Sequence, residues 1–585
     1  MSDGGFGRGG PKPLAAARTS NLFNRGNLED LVLGEIGEGG ENAEPASAAH
    51  AGTSQRITPY LSKHAPRPAS ATKPHTPATA GKFAERQNSG AVVASLNAQL
   101  EVPAAAAGDG EAMEVDGGAS RCTVQVLGRP MRPTDKFMAD RLEDKVAYLE
   151  ARIVAAEEAA AAALGCEAHP VAAAAQQPSL FVGRIVCDAE GGKLNPQSLL
   201  LEGSVRSSGG ARVRLDVSRL PSFRLFPGQV VALRGTNPSG FCVVASHLLP
   251  GLAAPPAATP LPDLARYAAA TGRAGTSLVA AAGPFTSSED LEYAPLAALL
   301  EYCSRQARPP DVLLLLGPFV DAEHPGVKGG LVEEAFEDLY ISRVLGQIER
   351  FTAATGGATR VLLVPSTRDV LALPVVPQPP LVGAAAGVTS TPAGCLPLAN
   401  PSTLALNEVV LGATSADWLM ACTREETAKA AAGEERLPAL AAHLPAQRSY
   451  LPLFPPPLDC PVDCARGATA LAMPATPDLL VLPSDLAPFA KLCPVLTPGH
   501  GGAAAPADGA AAGEPGAAVA AQASSSFVCV NPGRLTKGTS GGTFAHVHIL
   551  PLPEAVAVAG GAPAPTNAPV PHQLERRCRV DIKRI

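Results

Sequence analysis

Two apolar runs decide the fold: DVLLLLGPFVD at residues 311–321 and RVLLVPSTRD at residues 360–369. Each run is a short, continuous block of Leu and Val, which is typical of a strand buried on both faces of a parallel sheet. The helical pattern EEAFEDLYISRVLGQIERFTAA, residues 333–354, separates them, and similar apolar runs occupy residues 277–285 and 477–486. This alternation predicts an α/β domain. Its active site would lie in the loops at the carboxyl ends of the strands.

Upstream of this domain, five short segments predict a β-barrel. They lie between residues 179 and 249 and are separated by Gly, Pro and Asn turn signals: SLFVGRIVC, SLLLEG, ARVRLDVSRL, GQVVALRG and FCVVASHLL. In the third segment Val213 and Leu215 alternate with Arg212 and Arg214, as expected of a strand with one buried face. Five such strands in fewer than a hundred residues favour an all-β OB-type barrel.

The aromatic side chains of this barrel leave two interpretations open. They are four phenylalanines: Phe181, Phe223, Phe226 and Phe241. Barrels that bind single-stranded nucleic acid stack bases on such rings over a basic groove. The alternative is that the rings fill the barrel core and the barrel has a structural role.

Composition divides the rest of the chain into linkers and domains. Of 585 residues, 57 are Gly and 58 are Pro, and aromatics make only 4%. Alanine-rich stretches bury too little surface to offset the entropy of ordering their backbone. We therefore expect a multidomain protein with the following parts: a disordered, linker-like region at 1–120, a helical connector at 121–175, an OB-fold domain at 176–258, and an α/β domain at 274–585 with a low-complexity insert near 497–526.

One long helix is predicted in the connector. Leu142, Val146, Leu149 and Ile153 recur at helical spacing and should form one apolar face that packs on a neighbouring domain. Thr134 or Asp135 is the expected N-cap.

Charge and sorting signals exclude several classes of protein. The net charge of −7 gives no global positive field to recruit nucleic acid. No apolar stretch is long enough to span a membrane, so a membrane partner is not expected. The twelve cysteines are scattered, and the close pair Cys460 and Cys464 has no second pair to complete a zinc site.

The loops of the α/β domain lack the ligands of a two-metal site. Calcineurin-like phosphoesterases carry D-x-H, G-D-x-x-D and G-N-H-D after successive strands, because clustered carboxylates and imidazoles hold the two cations. Here residues 282–285 contain neither an acid nor a His. The second loop has Pro318 in place of the bridging acid and keeps only Asp321, and the third has Arg368 beside Asp369. We predict no catalytic residue, metal or cofactor, with the two acids capping their loops.

Two histidines are the weak alternative metal ligands. His546 and His548 alternate in TFAHVHIL, so both side chains should face the same side of a strand, as in the last metal motif of active phosphoesterases. The competing interpretation is a pair of hydrogen-bonded or solvated histidines on a strand face. His324 is interpreted as a loop residue rather than a base.

Several segments together resemble one known family. The loops GPFVDAEHP and VPSTRDV, with QRSYLPLFPPP, TPDLLVLPSDLAPF and VCVNPGRLTKGTSGGTFA, are similar to the B subunits of DNA polymerase alpha over roughly residues 120–585. The resemblance implies an OB barrel joined to a calcineurin-like phosphodiesterase fold whose metal site is degenerate at Pro318, Asp321, Arg368 and Asp369.

The resemblance also implies a function. A member of this family would be a nuclear, non-catalytic regulatory subunit for DNA replication and its initiation. Its partners would be the zinc-bearing C-terminal module of the catalytic subunit, the primase subunits and other initiation proteins, and its contact with DNA would be indirect or weak. The alternatives are a second subunit of polymerase delta or epsilon, an active metal-dependent phosphodiesterase or nuclease, and a free-standing single-strand binder.

The family motif supplies candidate partner contacts. It consists of eight consecutive residues: Asn531, Pro532, Gly533, Arg534, Leu535, Thr536, Lys537 and Gly538. Arg534 and Lys537 are expected to be exposed and to meet carboxylates of a partner. Stabilisation of their own loop is the other interpretation.

Overall fold

The computed structural model describes residues 82–102, 121–189, 191–271, 274–383, 386–496, 523–552 and 569–585. These residues belong to one compact unit, Ala78–Ile585. Of the region predicted to be disordered, 1–120, residues 1–81 and 103–120 fall outside the described residues, as does most of the predicted insert near 497–526. Within the described part of the chain, no helix is long and apolar enough to cross a membrane.

The strands of the described residues are numbered in chain order. They are β1 (Val92–Leu96), β2 (Val124–Leu127), β3 (Ala175–Cys187), β4 (Leu199–Glu202), β5 (Arg212–Asp216), β6 (Phe223–Leu225), β7 (Val230–Asn237), β8 (Cys242–Leu249), β9 (Ala258–Pro260), β10 (Thr276–Ala282), β11 (Val312–Leu316), β12 (Arg360–Val364), β13 (Cys395–Pro397), β14 (Ser402–Leu406), β15 (Val409–Ala413), β16 (Thr427–Lys429), β17 (Leu479–Val481), β18 (Phe489–Leu496), β19 (Ala523–Asn531), β20 (Thr536–Lys537), β21 (Ser540–Gly541), β22 (Thr543–Ile549), β23 (Pro569–Pro571) and β24 (Cys578–Arg584).

The helices of the same residues are α1 (Leu142–Leu164), α2 (Val205–Ser208), α3 (Leu261–Ala270), α4 (Ala294–Ser304), α5 (Pro325–Lys328), α6 (Phe336–Leu339), α7 (Gly346–Ala354), α8 (Trp418–Glu425), α9 (Arg436–Ala446), α10 (Cys464–Ala470) and α11 (Leu574–Arg577). A π-helical turn, Tyr340–Leu345, joins α6 to α7, and a 3₁₀ turn, Phe83–Glu85, precedes β1.

The five predicted barrel strands form a closed barrel in the order β3-β4-β5-β8-β7. Val213 and Leu215 on β5 point into its core, while Arg212 and Arg214 point outward. This alternation is the one that the sequence shows, because successive side chains of a strand face opposite sides. The prediction of an OB-type barrel is confirmed at this level.

The long connector helix forms, but its start and part of its buried face differ from the prediction. α1 begins at Leu142 rather than after Thr134 or Asp135, because Asp135 accepts a hydrogen bond from the Arg132 N–H within an earlier turn. Ile153 is buried against the barrel, whereas Leu142 is 76% exposed and Val146 52% exposed. The apolar face therefore continues past the edge of the barrel, and only its C-terminal half is covered.

The predicted α/β region contains two sheets. Seven strands form the first in the order β1-β24-β22-β10-β11-β12-β13, with β10, β11, β12 and β13 parallel. Six form the second in the order β18-β19-β17-β15-β14-β2. Residues Val312–Leu316 of β11 are all fully buried, because both faces of the first sheet are covered.

The two sheets pack face to face between outer layers of helices. Leu314 and Leu316 of the first sheet share a core with Leu404 and Leu411 of the second. On the outer face of the first sheet, Leu313 and Leu315 pack with residues of α4 and α7. Trp418 of α8 and Leu440 of α9 pack with the outer face of the second sheet.

The N-terminal part of the chain contributes to this core, which corrects the expectation that residues 1–120 are linker throughout. Phe83 is buried in the core of the first sheet, and β1 pairs with the C-terminal strand β24. β2, which lies in the predicted helical connector at 121–175, adds an edge strand to the second sheet. Both strands are short and pair with segments far away in sequence, so no local pattern indicated them.

Candidate functional site

The three loops that follow β10, β11 and β12 lie together at one edge of the first sheet. Gly283 N–H donates to the carbonyl of Leu316 at 2.8 Å, and Gly317 N–H donates to that of Val364 at 2.8 Å. A side chain at Gly283 would collide with the carbonyl of Pro318. The rings of Phe285 and Phe319 stack with centroids 5.4 Å apart. The loops therefore pack directly on one another.

Asp369 fastens the second loop to the third. Its carboxylate accepts hydrogen bonds from the backbone N–H groups of Ser366 at 2.7 Å, Val320 at 3.1 Å, and Phe319. The side chain is almost completely buried. Burial raises the pKa of Asp369 to about 7, against the opposing effect of the three donors. This carboxylate is fully occupied by protein groups.

Asp321 is occupied by an arginine. The guanidinium of Arg368 donates from Nε to Oδ1 at 3.1 Å and from Nη2 to Oδ2. Asp321 is buried, and its Oδ1 also accepts from the N–H of Glu323 at 3.1 Å. The backbones are joined as well, because Ala322 N–H donates to the Arg368 carbonyl at 2.8 Å. The guanidinium of Arg368 is thus the cation that lies next to Asp321.

The two histidines lie on β22 and face the same side of the sheet, as the alternation predicted. Their ring centroids are 4.0 Å apart. His546 Nδ1 lies 2.9 Å from the Tyr302 hydroxyl and its Nε2 lies 3.0 Å from the Ser277 hydroxyl. Burial, aided by the neighbouring ring, holds the pKa of His546 well below its usual range, and burial lowers the pKa of His548 to about 4.

The histidines and the acids are not brought together. His546 pairs with Val279 in the middle of β10, beneath α4, whereas Asp321 and Asp369 lie in loops beyond the strand ends. Across the described ranges, no cluster of three or more His, Cys, Asp or Glu side chains has the arrangement of a metal site. His324 is the N-cap of α5, and its Nδ1 accepts from the N–H of Gly326 at 3.1 Å.

The motif Asn531–Gly538 joins the two sheets near this edge. Asn531 is fully buried; its Oδ1 accepts from Ser484 and Gly533 at 2.9 Å each, and its Nδ2 donates to two carbonyls of the 486–487 segment. Thr536 donates its hydroxyl to the carbonyls of Pro284 and Thr286, both at 2.9 Å. Pro532, Gly533 and Leu535 are also buried, whereas Lys537 and Gly538 are exposed.

Arg534 is buried, which corrects the expectation that it is exposed. Its Nε donates to Asp485 Oδ1 at 2.8 Å, and its Nη2 lies 3.7 Å from Asp417 Oδ2. Burial alone would raise the pKa of Asp485, but the hydrogen bond and charge of Arg534 hold it below its usual range. Asp417 also caps α8 by accepting from the N–H of Met420. Sequence reasoning missed both acids; an Asp directly before the helix at Trp418 was the available signal.

Comparison with known proteins is informative over most of the chain. The family model for the DNA polymerase alpha/epsilon B subunit matches residues 278–491, and that for the OB domain of the DNA polymerase alpha B subunit matches residues 142–251. The DNA polymerase alpha B subunit of Mus musculus is 31% identical over 488 residues, which are 82% of this chain and 71% of that protein. The chain belongs to the family of DNA polymerase alpha B subunits.

Further relatives agree with this assignment. The DNA polymerase alpha B subunit of Bos taurus is 33% identical over 70% of this chain and 65% of its own length, and that of Schizosaccharomyces pombe is 32% identical over 64% and 60%. The predicted resemblance, and with it the prediction of a regulatory subunit of DNA polymerase alpha, is confirmed. The OB-domain match spans α1 and all strands of the barrel.

In this regulatory subunit, the barrel is joined to the α/β region by polar contacts. Arg224 donates from Nη1 to Glu426 at 3.0 Å and from Nε to Glu434 at 2.9 Å. The side-chain amide of Gln447 accepts from Val230 N–H at 2.8 Å and donates to the Val230 carbonyl at 2.7 Å. In addition, β6 pairs antiparallel with β16. The two parts are therefore joined through both side-chain and backbone hydrogen bonds.

Proposed function

We propose that this protein is a non-catalytic scaffold of the polymerase alpha–primase complex in the nucleus. It would bind the zinc-bearing C-terminal module of the catalytic subunit and connect it to the primase subunits and to initiation proteins. The observation that carries this proposal is the occupation of both loop acids, since Asp321 is paired with Arg368 and Asp369 accepts three backbone N–H groups. A metal would have to displace these partners.

We further infer that the α/β region, residues 274–585, is a calcineurin-like phosphodiesterase domain whose metal site is degenerate, preceded by an OB domain at 176–258. The two packed sheets and the loops at the carboxyl ends of β10, β11 and β12 support this inference. The polar contacts of Arg224 and Gln447 would hold the two domains in a fixed orientation. A fixed orientation is what a scaffold needs, because it sets the geometry of the bound partners.

Reconstitution tests the scaffold. The full chain is co-expressed with the catalytic subunit, or with a catalytic subunit that lacks its C-terminal module, and each mixture is separated by size-exclusion chromatography. We expect co-elution with the complete catalytic subunit and loss of the complex when the module is absent. Equal co-elution with both forms, or elution of this protein without a partner in both mixtures, would contradict the proposal.

The absence of catalysis has its own test. Purified protein is analysed for bound manganese and zinc and assayed with a phosphodiester substrate in excess Mn²⁺. We expect the same background rate for wild type, Asp321→Ala and His548→Ala. Stoichiometric metal together with hydrolysis that disappears in both variants would establish an active phosphodiesterase instead.

Lys537 is the exposed cation of the family motif, and we infer that it contacts a carboxylate of a partner. Lys537→Glu should weaken binding of the catalytic subunit about tenfold, the effect of losing roughly 1.4 kcal/mol. Lys328→Glu is the matched control, because Lys328 is also exposed and lies outside the motif. Equal affinities of the two variants would assign Lys537 a local role.

A further inference from the structure

One side of the barrel is covered by the rest of the molecule and the opposite side is open. Leu180 and Val182 of β3, and Val230 of β7, pack against Ile153 of α1. On β5, which lies across the barrel, the outward side chains of Arg212 and Arg214 are 56% and 65% exposed. The open side is thus formed by β4, β5 and β8 with their adjoining loops.

An aromatic side chain stands on this open side. Phe241, in the loop between β7 and β8, is 79% exposed. The other barrel phenylalanines, Phe181, Phe223 and Phe226, are buried. The carbonyl of Phe241 accepts the N–H of Arg214 at 3.0 Å, which holds the ring's backbone beside the outward face of β5. Barrels that bind single strands stack bases on exposed aromatic rings beside basic side chains, and Phe241 has this setting.

The charges of the barrel differ from those of the whole chain. Residues 175–249 contain eight Arg and Lys residues against four Asp and Glu residues, whereas the chain as a whole has a net charge of −7. Lys193, in the loop between β3 and β4, is exposed. Arg214 forms a salt bridge with Asp188 at 3.4 Å, and Arg212 forms one with Glu202. The exposed Arg214–Asp188 pair contributes little, so Arg214 can turn to a stronger anion. Glu202 is only 13% exposed and also pairs with Arg184, so Arg212 stays beside it and offers its remaining N–H groups.

We propose that this surface, defined by Phe241, Arg212, Arg214 and Lys193, binds single-stranded nucleic acid weakly. A base would stack on the Phe241 ring, and the three cations would contact neighbouring phosphates. The surface consists of the second and third barrel strands with the loops between strands one and two and strands four and five. Barrels of this architecture bind oligonucleotides on that side. An acidic protein segment would use the cations but would have no need of the exposed ring.

Fluorescence anisotropy with the full chain tests this surface. The probe is a labelled oligo-dT of about 12 nucleotides, within the usual footprint of one such barrel, titrated at low salt. Phe241→Ala should weaken binding about tenfold, as expected for one lost stacking contact. Arg212→Glu with Arg214→Glu should weaken it further and reduce the slope of log affinity against log salt by about 1.4, corresponding to two phosphates.

Controls with the same chemistry lie far from the barrel surface. Arg266→Glu with Arg305→Glu reverses two charges at arginines that are 67% and 75% exposed and that each pair with a nearby acid. Leu331→Ala removes an apolar side chain of similar exposure to Phe241. Both controls should bind as wild type does, and circular dichroism should show all variants folded.

The outcomes separate the proposal from its alternatives. No binding of the probe by wild type at low salt overturns it. So does an affinity of Phe241→Ala equal to that of wild type, because binding is then purely ionic. A polyglutamate peptide that binds as tightly as the oligonucleotide and is equally insensitive to Phe241→Ala would assign the surface to an acidic protein. None of these results depends on assembly with the catalytic subunit, so the scaffold proposal stands or falls separately.

Discussion

Asp369 shows how a single side chain can hold the loops after β11 and β12 in place. Three backbone N–H groups, from Phe319, Val320 and Ser366, point at its carboxylate inside the protein. Asp369→Ala would leave all three donors buried without an acceptor. Because each unsatisfied donor costs about 1–3 kcal/mol, we expect the free energy of unfolding to fall by at least about 3 kcal/mol. Urea denaturation measures the free energy of unfolding. The control is Asp459→Ala, at an exposed position, which should change this free energy little.

The same residue predicts a pH dependence of stability. Burial raises the pKa of Asp369 from 3.8 to about 7 in the folded state. Between these values the folded protein holds a proton that the unfolded chain has released, so stability falls as pH rises. The advantage of wild type over Asp369→Ala should therefore be largest below about pH 4 and decline up to about pH 7. An advantage that grows over this range would mean that the three donors lower the pKa of Asp369 instead.

At the scale of elements, the apolar pattern of a segment predicted those strands whose formation depends on their own residues. The strands β5, β11 and β12 could be predicted from the sequence. A strand with one buried face has alternating apolar residues, and a strand with two buried faces has a continuous apolar run. The strand β1 could not be predicted, since its five residues form a strand only by pairing with β24, at the far end of the chain. The prediction for Arg534 was wrong for the same reason: its exposure is set by Asp485 and Asp417, which only the tertiary structure brings together.

The helix α1 carries a second prediction at this scale. Between α1, the barrel and α10 lies a cavity of about 270 Å³ lined by Arg152 and by alanines such as Ala156 and Ala159. Arg152 Nη1 donates to the carbonyl of Pro452 at 3.1 Å, but its Nη2 is buried with no hydrogen-bond acceptor among the described residues. Burial lowers the pKa of this guanidinium. The Tyr148 ring lies 5.7 Å from the guanidinium carbon, so a ring and one carbonyl, rather than a carboxylate, are the described partners of this charge.

We expect Arg152→Met to be neutral or to raise the free energy of unfolding by about 1 kcal/mol, because an apolar side chain of similar length removes a charge that has no carboxylate partner among the described residues. Arg184→Met is the matched comparison. Arg184 lies on the barrel strand β3 and pairs with Glu202, so its loss should destabilise the protein by at least about 1 kcal/mol. Urea denaturation of both variants decides the matter. If Arg152→Met lowers the free energy of unfolding more than Arg184→Met does, Arg152 has an anionic partner.

Across the whole molecule, the described N-terminal segment closes the fold onto its C-terminal strand. β1 covers the edge of β24, Ser95 donates its hydroxyl to Asp581 at 2.7 Å, and Phe83 N–H donates to the Thr539 carbonyl at 2.8 Å beside the family motif. The Phe83 ring is buried in the core of the first sheet. The segment 82–102 thus protects an edge strand that would otherwise expose its backbone hydrogen-bonding groups.

A chain that starts at residue 103 should consequently be less stable than one that starts at residue 82, and it should aggregate more readily through the uncovered edge of β24. Phe83→Ala isolates the core contribution, with an expected loss of about 3–5 kcal/mol for a buried ring. Glu85→Ala, at an exposed position in the same turn, is the control. Thermal unfolding measures the stability of each variant, and light scattering measures its aggregation. Equal melting temperatures for the two chains would mean that the α/β core is complete without its N-terminal strand, and that β1 serves only to position the residues before it.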